Sequence, residues 1–264
     1  MNDGHENPLV AKLSQFAPLS HKDIGLLEAL CLPEERLRAG VNIVVEGETP
    51  RSLFVVTRGM ACRYRLMPDG KRQILTILLP GDLFGLPRFL LHPMDHSVAA
   101  IGPTRIASIG REAVIDIIAN HPRIGAGLWW SLMQEEAMLR ERIVALGRRS
   151  ARGRVAYLLC ELVWRQRAIG IAEDHAIRVP FTQTDLADML GLTSVHTNRV
   201  LQGFRRDGLI TLAHQRLTLH DLERLQAISG LTNDYLQLNS TPPEVLRYFD
   251  GLERDRAAAD PQDV

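Results

Sequence analysis

The chain has 264 residues, 45 % of them hydrophobic, with 31 Lys plus Arg against 31 Asp plus Glu. That length and composition suit a globular chain of one large or two small domains and exclude a fibrous or low-complexity one. No apolar run reaches the ~18 residues of a membrane helix, and the polar start MNDGHENPLV is unlike a secretory leader, so a cytoplasmic protein is expected.

Residues 8 to 31 have a helical pattern, with Leu13, Phe16, Leu19, Ile24, Leu27 and Leu30 apolar. From Leu37 to Ile109 the pattern changes to short runs such as VNIVVEG, SLFVVTRG and RQILTILLPG, divided by Gly, Pro and Asp. Such spacing predicts an antiparallel sandwich or barrel. Pro68-Asp69-Gly70 predicts a hairpin turn, because Pro fixes one dihedral and Gly accepts a positive φ.

A long helix is predicted from about Pro122 to Leu146. Leu128, Leu132, Leu139, Ile143 and Leu146 form one apolar stripe; Trp129, Met133, Ala137 and Val144 form a second. Two stripes need two partners, one being the β-domain and the other a second copy of the chain. Leu128, Leu132, Leu139 and Ile143 are the expected dimer contacts. The alternative is one wide stripe buried inside a monomer. The charged stretch GRRSARGR, Gly147 to Arg154, then marks a hinge. A further helix (AYLLCELVWRQR) and a strand (IRVPF) follow.

The segment TQTDLADMLGLTSVHTNRVLQGFRRDGLI, Thr182 to Ile210, holds two helical patterns around Gly191. Leu186, Met189 and Leu190 are apolar in the first, Gly191 stops it, and Thr193 is a good N-cap for the second. The second buries Val200, Leu201 and Phe204, leaving Ser194, Val195, Asn198, Arg199 and Gln202 on its outer side. This is the helix-turn-helix layout, whose second helix enters the DNA major groove. An αα-hairpin in a core is the bland alternative, but it would want apolar residues where this helix begins with polar ones. Thr197 stands where the motif usually has Val or Ile. GLITLAHQRLTLHD reads as two strands with a turn at His214-Gln215, a β-wing. The acidic, Ala- and Pro-containing end of TPPEVLRYFDGLERDRAAADPQDV is expected to be disordered.

Neutral overall charge hides an uneven distribution. Residues 140 to 216 carry 13 Arg against 7 Asp plus Glu, and residues 217 to 264 carry 4 basic against 9 acidic. A basic segment around the helix pair is the footprint expected of phosphate contacts, though a solvated charged face would produce it too.

With both halves in view, the chain resembles the cyclic-AMP receptor or Crp/Fnr family of bacterial transcription regulators over roughly residues 10 to 230. IVVEGETPRSLFVVTRGMACRY carries the family's first glycine-bearing hairpins at Gly47, Phe54 and Gly59, and ILLPGDLFG the next pair at Gly81 and Gly85. Each motif is weak alone; their order is specific. The resemblance implies an α+β chain: a cyclic-nucleotide-binding-like β-roll (jelly-roll) with N-terminal helices over 1–120, a dimerisation helix over 121–147, a winged helix-turn-helix domain over 148–232, and a partly disordered tail over 233–264. It further implies a homodimer that binds pseudo-palindromic double-stranded DNA, contacts RNA polymerase and senses a small-molecule effector. The family's base-reading positions map to Ser194, Val195, Asn198 and Arg199. Arg199 suits guanine O6 and N7, whereas Val195 replaces the usual acidic reader and can only press on a thymine methyl. His196 and Thr197 are expected to face the body. Gln202, Thr184, Gln183 and Arg205 or Arg206 complete the DNA-facing set, Gln183 and Thr184 alternatively serving as helix caps.

Nucleotide-binding members of the family carry an acidic residue directly after the Phe-Gly of the sensor loop, and an Arg a few residues on for the cyclic phosphate. Here Phe84-Gly85 is followed by Leu86 and Pro87, and Arg88 comes too early. The expected pocket, bordered by Gly81, Asp82, Phe84, Gly85, Leu86 and Arg88, should therefore not take cyclic AMP; it could hold another ligand or stay empty.

Other chemistries find little support. A cupin enzyme needs clustered His and carboxylate ligands, and His92 with His96 lacks a third. An iron–sulfur sensor needs about four Cys, whereas Cys31, Cys62 and Cys160 are three and scattered. No residue points to haem. With no nucleophile–base–orienter pattern and no phosphate loop before a helix, a non-enzyme without metal or cofactor is expected. The competing function class is a sensor or interaction module whose helix pair no longer binds DNA.

Overall fold

The computed structural model describes residues 7–85, 93–173, 175–238 and 241–259. Two short helices, α1 (Pro8–Leu13) and α2 (His21–Leu30), precede the sheets. The continuous helical pattern of the sequence is broken between them, where Ser20 and Asp23 form a capping box that starts α2.

Eight strands follow: β1 (Glu34–Leu37), β2 (Asn42–Val44), β3 (Ser52–Arg58), β4 (Ala61–Leu66), β5 (Arg72–Leu78), β6 (Leu83–Phe84), β7 (Ser97–Ala100) and β8 (Thr104–Gly110). They make two antiparallel four-stranded sheets, in the orders β1-β8-β3-β6 and β2-β7-β4-β5. The β4–β5 hairpin turns at Pro68–Gly70, where Met67 N donates to Lys71 O at 2.8 Å. Val44, Val56, Ala61, Leu78, Phe84 and Val98 fill the space between the sheets. Helices α3 (Arg111–Asn120) and α4 (Pro122–Arg148) cover the outer face of the first sheet, where Leu53, Val55 and Ile109 pack with Leu9, Leu13, Val114, Ile124 and Leu128.

Helix α4 runs 27 residues, about 40 Å at 1.5 Å per residue. The chain breaks at Arg149, and the Ser150 hydroxyl accepts from Gly153 N at 3.1 Å to cap α5 (Ala151–Ala168). Strand β9 (Ala176–Arg178), helices α6 (Gln183–Leu190) and α7 (Ser194–Arg206), and the hairpin β10 (Ile210–Ala213) and β11 (Arg216–Leu219) complete a winged helix, with sheet order β10-β11-β9. His214 and Gln215 both have positive φ, at 49° and 60°, which makes the tight wing turn.

Helix α8 (Leu222–Ser229), a 3-10 turn at Asp234–Leu236 and α9 (Pro243–Ala259) close the described chain. Helix α9 takes up most of the segment that begins TPPEVLRYFD, as far as Ala259. Its Phe249 meets Phe16 edge-on at 6.1 Å and Asp250 pairs with Arg123 at 2.5 Å, so the segment has partners that composition does not reveal. Residues 260–264 lie outside the described residues. The largest apolar cluster spans both halves: Ile74 and Ile77 of β5 join Leu158, Leu162 and Trp164 of α5 and Phe204 of α7.

Candidate nucleic-acid interface

The helix pair is built from local signals. Thr182 and Asp185 cap α6 reciprocally, Gly191 ends it at φ 60°, and the Thr193 hydroxyl accepts from His196 N at 3.2 Å to open α7. Leu186, Ala187, Met189 and Leu190 of α6 are buried, as are Thr197, Leu201, Gly203 and Phe204 of α7. Val200 is only half-buried.

The opposite side of α7 is open. Val195 is 71 % exposed. Arg199 and Gln202 are also exposed, at i+4 and i+7 from it, so the three share one face. Ser194 and Asn198 flank them half-buried, and Thr184 is exposed at the start of α6. The structure thus brings Ser194, Val195, Asn198, Arg199 and Gln202 to one surface. It divides the pair His196 and Thr197: Thr197 is fully buried, but His196 is exposed and does not face the body. A helical step of 100° separates neighbours, and only Thr197 falls in line with Leu201 and Phe204.

Most of the arginine excess is used internally. Arg142 pairs with Glu161, Arg149 with Glu141, Arg152 with Asp207 and Arg216 with Glu173. Arg154 donates to Leu190 O at 3.1 Å and Arg205 to Leu212 O at 3.0 Å. Among the described residues Arg199 and Arg206 of α7 have no such partner, nor have Arg148 and Arg178 elsewhere in the segment, so on the helix pair the free positive charge narrows to Arg199 and Arg206. Charge counting along the chain could not show this, because it does not see which arginines the fold consumes. Arg205 is tied to the wing through one of its donors.

The described part of the expected effector loop, Gly81 to Gly85, packs against other elements of the chain. Asp82 is buried; its Oδ1 accepts from Lys12 Nζ at 2.8 Å, its Oδ2 accepts from Leu79 N at 2.7 Å, and it pairs with Arg165 of α5. Burial would raise the Asp82 carboxyl, but the charges of Arg165 and Lys12 and these hydrogen bonds outweigh it and hold the group below its ordinary value of 3.8. Lys12 also reaches Gln134 Oε1 at 2.6 Å, and Gln134 Nε2 donates to Leu236 O at 2.6 Å. Gly81 sits under α1 so closely that a Cβ there would lie 2.4 Å from Pro8 O. Phe84 is buried and stacks on Phe54 at 5.1 Å. The two cavities lined by Asp82 are each about 10 Å³, room for a water. Asp82 is thus the centre of a buried ion-pair group and Gly81 a close-contact position; the sequence did not mark Lys12, Gln134 or Arg165 as their partners. Leu86, Arg88 and His92 lie outside the described residues.

Among the described residues no three His, Cys, Asp or Glu groups converge as metal ligands. Cys31, Cys62 and Cys160 are buried and unpaired, and burial pushes the Cys62 thiol up to about 11 and the Cys160 thiol up to about 12. No helix among the described residues is long and apolar enough to cross a membrane.

Comparison with known proteins agrees with this geometry. A Crp-like helix-turn-helix domain model matches residues 153–228, and a cyclic nucleotide-binding domain model matches residues 34–121. The chain is 30 % identical over 193 residues to the nitrogen fixation regulation protein FixK of Bradyrhizobium diazoefficiens, covering 73 % of this chain and 80 % of that one. It is 31 % identical over 189 residues to the CRP-like cAMP-activated global transcriptional regulator of Mycobacterium tuberculosis, covering 70 % of this chain and 83 % of that one. The solved structure of FixK2 from Bradyrhizobium japonicum superposes with a TM-score of 0.67 at 26 % identity, over 76 % of this chain and 98 % of that one. A β-roll, a long helix and a winged helix in this order, with relatives of that identity and coverage, place the chain in the Crp/Fnr family of transcription regulators, with the helix-turn-helix as its DNA-binding domain.

Proposed function

We propose that the chain acts as a homodimer whose two α7 helices read a pseudo-palindromic site, and that its β-roll does not take cyclic AMP. The observation that carries the DNA reading is the open face of Val195, Arg199 and Gln202 on a helix whose other face is packed. Arg199 is the base reader, bidentate to guanine; Val195 packs on a thymine methyl; Ser194, Asn198 and Thr184 add hydrogen bonds to bases or phosphates. Selecting binding sites from random duplex and titrating salt tests this. A recovered two-fold motif with affinity falling steeply in salt supports the reading. Salt-independent or sequence-blind binding refutes it and favours an interaction module.

The dimer reading rests on α4. Trp129, Leu132, Met133, Leu139, Ile143 and Val144 are all exposed on this helix, Trp129 and Ile143 by about 70 %. A groove of about 830 Å³ beside them is walled by Leu132, Met133 and Val245 of α9. So large an apolar surface on one helix fits a second copy. Leu128 borders the same groove but is itself nearly buried, in the cluster that also holds Leu13 and Ile124, so it adds little to the open surface. RNA polymerase is the partner that the family membership suggests for the bound dimer.

The cyclic-AMP reading rests on the Gly81–Gly85 loop, whose one carboxylate, Asp82, is engaged by Lys12 and Arg165, and on Leu86 in the place of an acidic ribose partner. The mycobacterial relative is described as cAMP-activated, so the test is informative. Isothermal titration with cyclic AMP and cyclic GMP should give no micromolar binding.

A further inference from the structure

We propose that a cleft between the β-roll and the winged helix binds a phosphorylated small molecule of about nucleotide size. The cleft has a volume of about 720 Å³ and lies outside the roll. One side is formed by β1, the turn between β3 and β4, and the start of β8; the other by the end of α5, β9 and the wing turn.

Four arginines line it: Arg36, Arg58 and Arg105 from the roll and Arg178 from β9. Among the described residues only Arg105 has a carboxylate partner, Glu34 at 2.9 Å. Arg36 feels the same carboxylate without pairing to it. Arg58 and Arg178 have no ion-pair partner among the described residues. The rest of the wall includes Leu37, Met60 and Ile171, which offer an apolar surface beside the cations. Gln166 also borders the cleft; it is 2 % exposed and its Nε2 is buried without a hydrogen-bond partner. A buried amide donor left unmade is costly, and an acceptor on a ligand would satisfy it.

The combination selects the chemistry. Guanidinium groups match phosphate oxygens in fork geometry, so several aimed at one cleft favour a multiply charged phosphate. The apolar wall and the volume fit an organic body attached to it. DNA is disfavoured as the occupant, because the donors line a concavity to which α7 contributes no residue. Since the two walls belong to different halves of the chain, a ligand here would favour the arrangement that brings them together. That consequence rests on the DNA-regulator reading; the binding itself does not.

The test uses the full chain in phosphate-free buffer at low ionic strength, with inorganic pyrophosphate and adenosine 5′-monophosphate as probes in isothermal titration. Binding of at least one probe is expected, weakened tenfold or more by the double variant Arg58→Gln/Arg178→Gln. The charge-keeping Arg58→Lys/Arg178→Lys should retain most of it, and Arg148→Gln, an exposed arginine outside the cleft, should leave it unchanged. Absence of binding by both probes overturns the proposal, as does equal weakening by Arg148→Gln. A third overturning result is weaker probe-free binding of the selected duplex by Arg58→Gln/Arg178→Gln with a shallower salt slope, which would assign these arginines to DNA phosphates. Failure of the duplex selection itself, with probe binding intact, would refute only the DNA reading.

Discussion

Thr197 and Arg199 lie two positions apart on α7 and face opposite ways, so they separate packing from recognition. Arg199→Ala should lower affinity for the selected duplex by roughly 1–3 kcal/mol and relax preference at one position per half-site, because a bidentate pair to guanine is lost. Competition binding against duplexes altered at each position reads this out; uniform weakening would mean that Arg199 touches phosphate alone. Thr197 is fully buried and its hydroxyl has no partner. Thr197→Val keeps the shape and removes an unsatisfied polar group, so it should raise stability by about 1 kcal/mol in urea unfolding. A loss of stability would show that the hydroxyl is bonded in solution. The sequence marks Thr197 as unusual, and its spacing to Leu201 puts it on the packed face. It cannot show the hydroxyl's lack of an acceptor, which depends on groups far away in the chain.

Elements were legible where their signals are local. Caps at Thr182, Gly191 and Thr193, the Pro68–Gly70 turn and the His214-Gln215 wing are all visible as residues, because each needs only its near neighbours. The α4 stripes were less so. Periodicity shows that two faces are apolar, but which side chains point inward depends on where α1 docks. Leu128 joins Leu13 of α1 in a buried cluster, while Met133 and Val144, from the other stripe, stay exposed with Leu132 and Leu139. The seam therefore mixes the two stripes. Placing charge on it tests the seam, since each of these side chains keeps more than a third of its surface open in the monomer. Leu132→Glu/Leu139→Glu should sediment as a folded monomer, with unchanged far-ultraviolet circular dichroism, and should lose binding to a two-half-site duplex more than to one half-site. A doubly charged variant that still sediments as a dimer would move the interface elsewhere.

Across the whole molecule, the halves are joined by buried polar groups that no linear pattern announces. Asp82 of the roll, Lys12 of α1 and Arg165 of α5 come from positions up to 153 residues apart and meet without solvent. Arg165 also donates to Ile77 O at 3.1 Å and lies 3.5 Å from Glu161, which in turn holds Arg142 at 3.1 Å and accepts from Tyr235 at 3.2 Å. Removing one member leaves the others charged and dry. Asp82→Asn should therefore cost about 3–5 kcal/mol, as breaking a buried pair does, whereas replacing Lys12, Asp82 and Arg165 together by apolar residues should recover much of that loss. The network has a pH signature whose sign follows from Asp82. Its carboxyl titrates lower in the folded chain than in the unfolded one, so the unfolded chain binds the proton first as pH falls. The stabilisation is complete above the ordinary carboxylate value of 3.8 and is lost as pH drops through the lower folded value. Urea midpoints measured from pH 6 down to pH 3 should fall more for the native chain than for Asp82→Asn, the difference between them isolating this group from other acids. Parallel slopes for the two proteins would mean that the Asp82 carboxyl titrates alike in the folded and unfolded chains, so that Lys12 and Arg165 do not hold it as the charged junction between the roll and the DNA-binding half.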